Sequence, residues 1–361
     1  MSNLLLFNLR TDADDDVLGF TTAWINALAR RFDNVHVITM SAGRLAVAAN
    51  VTVHSLGREK GYSEFRRALI FYRLLWSVLR SGRIDACFAH MNPLFVLMGW
   101  PLLAAWRVPV VLWYAHGTVS RVARWCIPLV RTVVTSSSSG FPVATPKRQV
   151  IGQGIDTEVF RPDPGDDGGR EAFTVLAVGR LSPVKRLDLT LRAVALVRPH
   201  VAALRVVIVG GPASDKDEAE VRRLHALAEQ LGLADAVEFR GKMPFPQVRA
   251  TYALADVYVN TSETGSMDKT VLEAMSMGVP ALTSNPAFGD ALLGELGRQV
   301  LVAHGDVDAL AARLRQLAEM SPQARRELGR RQREMVVADH GLDALAAKIT
   351  AQLNHAAAEV G

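Results

Sequence analysis

Cysteine is almost missing from this 361-residue chain. Cys87 and Cys126 stand alone in apolar surroundings without metal-ligand spacing, so neither a disulfide framework nor a cysteine metal site is expected, and both read as buried reduced thiols. An export signal is lacking too. LLLFNLR near the N-terminus has no basic stretch before it and no small-residue cleavage site after it, so it reads as a first strand and the location as cytoplasmic. The most apolar window, LFVLMGWPLLAAWRVPVVLWY (94–114), is divided by Pro101, Arg107 and Pro109 into pieces too short to span a membrane, which suit a buried helix and a buried strand. No G-x-G-x-x-G turn follows a predicted strand, which argues against a nicotinamide dehydrogenase. No Asp-x-Asp pair sits in a loop suited to a metal, the DADDD cluster (12–16) lying at a helix start, so no metal is expected.

What is present is length, apolar content and alternation. A chain of this size exceeds what one core supports, so two domains are expected. Strand-like runs (LLLFNLR, VHVITM, VTVHSL, DACFAH, PVVLWYAH) alternate with helical segments, and the polar passage RPDPGDDGGRE (161–171) interrupts them as a linker. The alternation resumes with FTVLAVG, LRVVIVGG, AVEFRG, DVYVNT, PALTS and QVLVA. The fold class is therefore α/β: two Rossmann-like, doubly wound domains, 1–162 and 163–337, with ligands expected in a central cleft at the carboxyl ends of the strands. A helical tail (about 338–361) is expected to pack back on the first domain. Residues 1–150 carry 17 Lys and Arg against 8 Asp and Glu, whereas 151–361 carry 24 against 28, so an acidic partner or anionic surface is expected to face the N-terminal half. The basic residues are not interleaved with a nucleic-acid motif, and no nucleic acid is expected.

Two stretches carry chemistry. In SETGSMDKTVLEAMSMGVPALTS (262–284) a loop of small residues runs into a helix with Glu273 on its early turns, a setting for a phosphorylated, hydroxyl-rich ligand. In VGRLSPVKR (178–186), Arg180 and Lys185 follow a strand within one turn, where two fixed cations can stabilise a departing diphosphate; ordinary solvated surface charges are the plainer alternative.

With IGQGIDTEVFRP before the linker, these motifs resemble the retaining nucleotide-sugar glycosyltransferases of glycosyltransferase family four, the group 1 glycosyltransferases. The resemblance spans most of the chain, with its specific motifs between about 150 and 285. It implies a GT-B fold with the donor held mainly by the C-terminal domain. Arg180 and Lys185 become the diphosphate ligands and Glu273 the partner of the ribose hydroxyls. The family's second glutamate, eight positions before Glu273, is absent: Gly265 stands there, Glu263 lies two residues too early, and Asp268 falls where glycine is usual. Backbone N–H groups from Gly265 through Ser266, Met267 and Asp268 to Lys269 are expected to meet the donor, with either Glu263 or Asp268 replacing the missing contact. Asp268 read without the family is a helix N-cap.

In the N-terminal half the resemblance points to Gly19 for close backbone approach to the donor, and to His116, after VVLWYA, as a contact to the donor sugar. Read alone, a histidine there is more often structural. Asp16 and His90 are acceptor-side candidates, though Asp14 to Asp16 also suit helix capping or solvation. Phe65, Leu69, Tyr72, Trp76 and Leu79 form a stripe at helical spacing, flanked by Arg66, Arg73 and Arg80. Such a stripe normally faces the core; a membrane surface is the sharper alternative, and implies peripheral attachment.

The implied activity is transfer of a hexose, with retention, from a UDP- or GDP-sugar to the hydroxyl of a glycan, lipid-linked or small acceptor in bacterial-type glycan, polysaccharide or glycolipid biosynthesis. No cofactor or metal is expected beyond the nucleotide-sugar substrate. A sugar-nucleotide epimerase or phosphorylase of the same fold, or a non-catalytic nucleotide-sugar-binding protein, are the rivals.

Overall fold

A computed structural model describes residues 2–15, 18–163, 171–289 and 294–359. Asp16 lies outside them. The chain divides into two compact units, Met1–Gln153 with Leu342–Gly361, and Gly154–Gly341. The division precedes the polar passage at 161–171. Ile155 and Phe160 are already buried in the second unit's core, with the Phe160 ring 5.9 Å from that of Tyr252.

The first unit contains β1 (Asn3–Thr11), α1 (Phe20–Ala29), β2 (Asn34–Ala42), β3 (Val51–Ser55), α2 (Glu64–Ser81), β4 (Ala86–His90), α3 (Pro93–Ala105), β5 (Val110–Trp113), α4 (Arg121–Cys126), β6 (Thr132–Thr135) and β7 (Arg148–Val150). The strands form one parallel sheet in the order β3-β2-β1-β4-β5-β6-β7. Leu4 to Phe7 of β1 are buried consecutively rather than alternately, as a central parallel strand covered on both faces requires.

The second unit contains β8 (Phe173–Val178), α5 (Leu187–Val197), β9 (Leu204–Val209), α6 (Asp215–Gln230), β10 (Val237–Gly241), α7 (Phe245–Tyr252), β11 (Val257–Asn260), α8 (Lys269–Ser276), β12 (Ala281–Thr283), α9 (Gly294–Val300), α10 (Val307–Glu319) and α11 (Pro322–Asp339). Its parallel sheet runs β10-β9-β8-β11-β12. Gly210 has φ +138°, and a Cβ there would stand 1.8 Å from the Gly179 carbonyl oxygen, so only glycine lets the ends of β8 and β9 close up. The chain ends in α12 (Leu342–Ala358), which returns to the first unit and buries Leu345, Ile349 and Leu353 with Trp24 and Trp113. Each such side chain contributes roughly 1.5–3 kcal/mol by burial.

Three expectations are corrected. QVLVA (299–303) is no strand: Val300 ends α9, and Leu301 makes one isolated bridge to Thr283. The apolar helix at 94 onward is only half buried, since α3 packs Phe95, Val96, Gly99 and Leu103 inward and leaves Leu94 and Trp100 exposed. In α2 the core face is Phe71, Leu75, Val78 and Leu79, so the stripe expected inside is, apart from Leu79, on the surface. Both cysteines are buried and free, and burial pushes the Cys126 thiol up to about 11. Among the described residues no helix is long and apolar enough to cross a membrane.

Candidate functional site

Three strand ends of the second unit converge on one carboxylate. After β8 the chain turns through Gly179 and Arg180 into a single 3-10 turn, Pro183–Lys185; Arg186, at φ +47°, then redirects it into α5. Thr261, just past β11, fixes this loop by donating to the carbonyls of Lys185 (3.1 Å) and Arg186 (2.8 Å). The Glu263 N–H donates to the Val184 carbonyl at 2.9 Å. Lys185 Nζ is thereby placed 2.6 Å from Asp268 Oδ1.

Asp268 precedes α8 but does not cap it, because its side chain accepts no helix N–H. Its Oδ2 accepts instead from Ser262 Oγ (2.5 Å), Asn260 Nδ2 (3.1 Å) and Asn285 Nδ2 (3.2 Å). Burial pushes this carboxyl up, but the Lys185 ammonium and the donated hydrogen bonds outweigh it and hold Asp268 below the ordinary aspartate range. Gly265 sits at φ +71°, where a side chain is strained, and lets the loop turn so that the Ser266 carbonyl meets Asn285 Nδ2 at 2.9 Å. Met267 is buried.

Glu273 lies one turn into α8, buried, with its Oε2 accepting from the Tyr252 hydroxyl at 2.8 Å. Burial raises its pKa more than Tyr252 and Lys269 lower it, and burial lowers that of Lys269. Glu263 is more exposed; its Oε1 takes both Arg186 Nη1 and His304 Nε2 at 2.6 Å, and these partners pull its pKa down against the effect of burial. Arg180 is half exposed, 3.8 Å from Asp217. It lines a small cavity with Lys185, Gly179, Asn260 and Thr261 at the carboxyl ends of β8 and β11. A second cavity of about 190 Å³ is lined by Arg325, Arg330 and Arg333 among others. Its lining includes Asp256 and Pro280, which immediately precede β11 and β12, so it lies at the amino ends of the strands, away from this cluster.

The second unit thus gathers Arg180, Lys185, Gly265 to Lys269, Glu263 and Glu273. His116, Gly19 and His90 belong to the first unit. His116 is exposed just after β5, its Nδ1 accepting from the Thr118 N–H at 3.0 Å. Gly19 has right-handed helical torsions (φ −54°), so no left-handed freedom is used there. His90 is buried: Nδ1 lies 3.3 Å from Asn8 Oδ1 and the ring packs on Trp24 at 5.1 Å. Asp14 and Asp15 do not cap α1; Asp14 pairs with Arg44, and Asp15 pairs with Arg10 while accepting the Leu18 N–H.

Sequence reasoning missed Asn260, Ser262, Asn285, Arg186, His304 and Tyr252. Asn260, Ser262 and Asn285 follow apolar strand runs directly, which is a usable signal for strand-end ligands. Tyr252 and His304 have none, since folding alone brings them in.

Two parallel doubly wound units, with cations and carboxylates at the strand ends of the second, define a GT-B protein. Residues 167–335 match the family of glycosyl transferases group 1, residues 20–139 match Glycosyltransferase Family 4, and the chain belongs to this family. The chain is 30% identical to a D-inositol 3-phosphate glycosyltransferase of Acidothermus cellulolyticus, over 48% of this chain and 50% of that protein. With the same enzyme of Streptomyces scabiei it shares 28% identity over 58% and 54%. It therefore spans about half the length of these curated relatives. In three dimensions it superposes on Anabaena HepE in complex with UDP (18% identity, TM-score 0.75, 98% of this chain and 100% of that one). A sucrose-phosphate synthase from Thermosynechococcus elongatus gives 18% identity and TM-score 0.75 over 98% and 99%. At such identities the likeness shows the fold.

Proposed function

We infer that the chain is a retaining hexosyltransferase that moves a hexose from a UDP- or GDP-sugar, bound by the second unit, to an acceptor hydroxyl bound by the first. The observation that carries this reading is the Lys185–Asp268 pair, set between Arg180 and the α8 turn that presents Glu273. In transfer the bond from the anomeric carbon to the diphosphate breaks while the acceptor oxygen bonds to that carbon. The negative charge gathering on the diphosphate is met by Arg180, Lys185 and the positive end of α8, which perform a metal's electrostatic work. Glu273 accepts from the ribose hydroxyls, and Tyr252 keeps its carboxylate oriented. A donor phosphate oxygen takes the acceptor proton, so no protein base is required. The Anabaena neighbour has also been solved with UDP-glucose, which favours the uridine series.

Asp268 is engaged on both oxygens, Oδ1 by Lys185 and Oδ2 by Ser262, Asn260 and Asn285. It therefore positions Lys185. Glu263, whose hydrogen bonds from Arg186 and His304 fall on one oxygen, is the carboxylate left to contact the donor sugar.

Incubation with UDP- and GDP-hexoses and hydroxyl acceptors, followed by NMR of the product, tests the reading. A new glycosidic bond with the donor's anomeric configuration, formed equally well with chelator present, is expected. Inversion, an absolute metal requirement, or conversion without acceptor would each contradict it, the last in favour of an epimerase.

A further inference from the structure

The surface of α2 has a composition that water alone does not explain. Phe65, Leu69, Tyr72 and Trp76 are 75%, 57%, 42% and 44% exposed. At 100° per residue their positions fall on one side of the helix, away from Phe71, Leu75 and Val78. Trp106, at the end of α3, extends this face: it is exposed, and its ring meets that of Trp76 edge-on at 5.0 Å. A contiguous apolar strip of this kind marks a contact surface.

Arg66, Arg73 and Arg80, all exposed, recur every seven residues along the edge of the strip. Arg66 lies 3.6 Å over the Tyr62 ring and Arg80 5.8 Å over Trp76, so both are laid along the aromatic surface. Residues 58–131 hold 11 Lys and Arg against 3 Asp and Glu. An apolar strip with Trp and Tyr, edged by arginines whose stems can lie along it while their heads reach outward, matches the layering of a bilayer interface. A two-fold pair of chains joined through this face with its α2 helices antiparallel would bring the arginine rows together, and like charges disfavour that contact.

We propose that the α2 face, completed by Trp106, docks the protein on an anionic lipid bilayer, its aromatic side chains entering the headgroup region and its arginines pairing with lipid phosphates. The contact lies in the interfacial plane, and it stands independently of the donor-site reading.

Co-sedimentation of the full chain with phosphatidylcholine vesicles, with and without phosphatidylglycerol, tests this. Binding to the anionic vesicles only, reversed by salt, is expected. A Phe65→Ser, Trp76→Ser double variant should lose about tenfold or more in partition. An Arg66→Gln, Arg73→Gln, Arg80→Gln triple variant should lose on the order of a hundredfold. All altered positions are exposed, so the melting temperatures should match wild type; circular dichroism checks this. Failure to sediment with anionic vesicles, equal binding to neutral ones, or undiminished binding by both variants would overturn the proposal. So would a wild-type dimer, seen by analytical ultracentrifugation, that the double variant dissolves, because the face would then belong to a second copy.

Discussion

Lys185 Nζ and Asp268 Oδ1 lie 2.6 Å apart across 83 positions of sequence, joining the loop after β8 to the start of α8. Neither side chain is well solvated. A pair in such a place is held by its further hydrogen bonds as much as by its own attraction, and those from Asn260, Ser262 and Asn285 all fall on the other oxygen of Asp268. The result is a cation whose direction is fixed before any ligand arrives.

Asp268→Asn removes that hold without removing the cation. Steady-state kinetics should show kcat reduced about tenfold, with KM for the donor unchanged or lower because the local charge becomes more positive. A raised KM with kcat retained would make Asp268 a direct donor contact instead.

The same variant gives a pH signature. The pKa of Asp268 is depressed in the folded state, so its stabilisation is present above the unfolded value of about 4 and is lost as pH falls through the folded value. The gap in melting temperature between wild type and Asp268→Asn should therefore be widest near neutrality and close on acidification. A gap independent of pH would show that the carboxylate's charge is not what stabilises the loop.

Glu273→Gln separates function from stability. Burial raises the pKa of Glu273, so its ionised form is costly to the fold, and a neutral amide that can still accept from Tyr252 should keep or raise the melting temperature. Nucleotide affinity measured by calorimetry should nonetheless fall by about tenfold, the worth of a charge-assisted contact. Glu263→Gln, by contrast, should alter the ranking of donor sugars in competition assays while leaving UDP or GDP affinity within about twofold, roughly 0.4 kcal/mol.

Leu353→Ala in α12 should destabilise the first unit by about 2–5 kcal/mol in urea titrations, because the side chain is fully buried against β-sheet and α1 residues. A change under about 0.5 kcal/mol would mean that α12 is not integral to that core.

Much of this was legible in the sequence. Apolar runs such as LLLF, VVIV and VYV place the central strands directly, because parallel strands buried on both faces need no alternation. The short β6 and β7 left too few apolar residues to register, and QVLVA misled because a helix end and an isolated bridge share its composition. Helix α2 carries two apolar stripes, 65/69/72/76 and 71/75/78, and periodicity cannot say which faces inward; the packing on Phe7 and Phe95 decides. At the site, Arg180, Lys185, Glu263, Asp268 and Glu273 stood out by motif. The side chains that fix Asp268 did not, because they come from separate strand ends that only the folded sheet brings together.

The central claim is that this cluster holds the diphosphate of a nucleotide sugar. Calorimetric titration of UDP and GDP, and of the matching monophosphates, into wild type and Lys185→Met tests it most directly. One diphosphate should bind, more tightly than its monophosphate, and the variant should lose about tenfold in affinity together with most of that preference. Binding of neither nucleotide, or equal affinity in wild type and variant, would contradict the account.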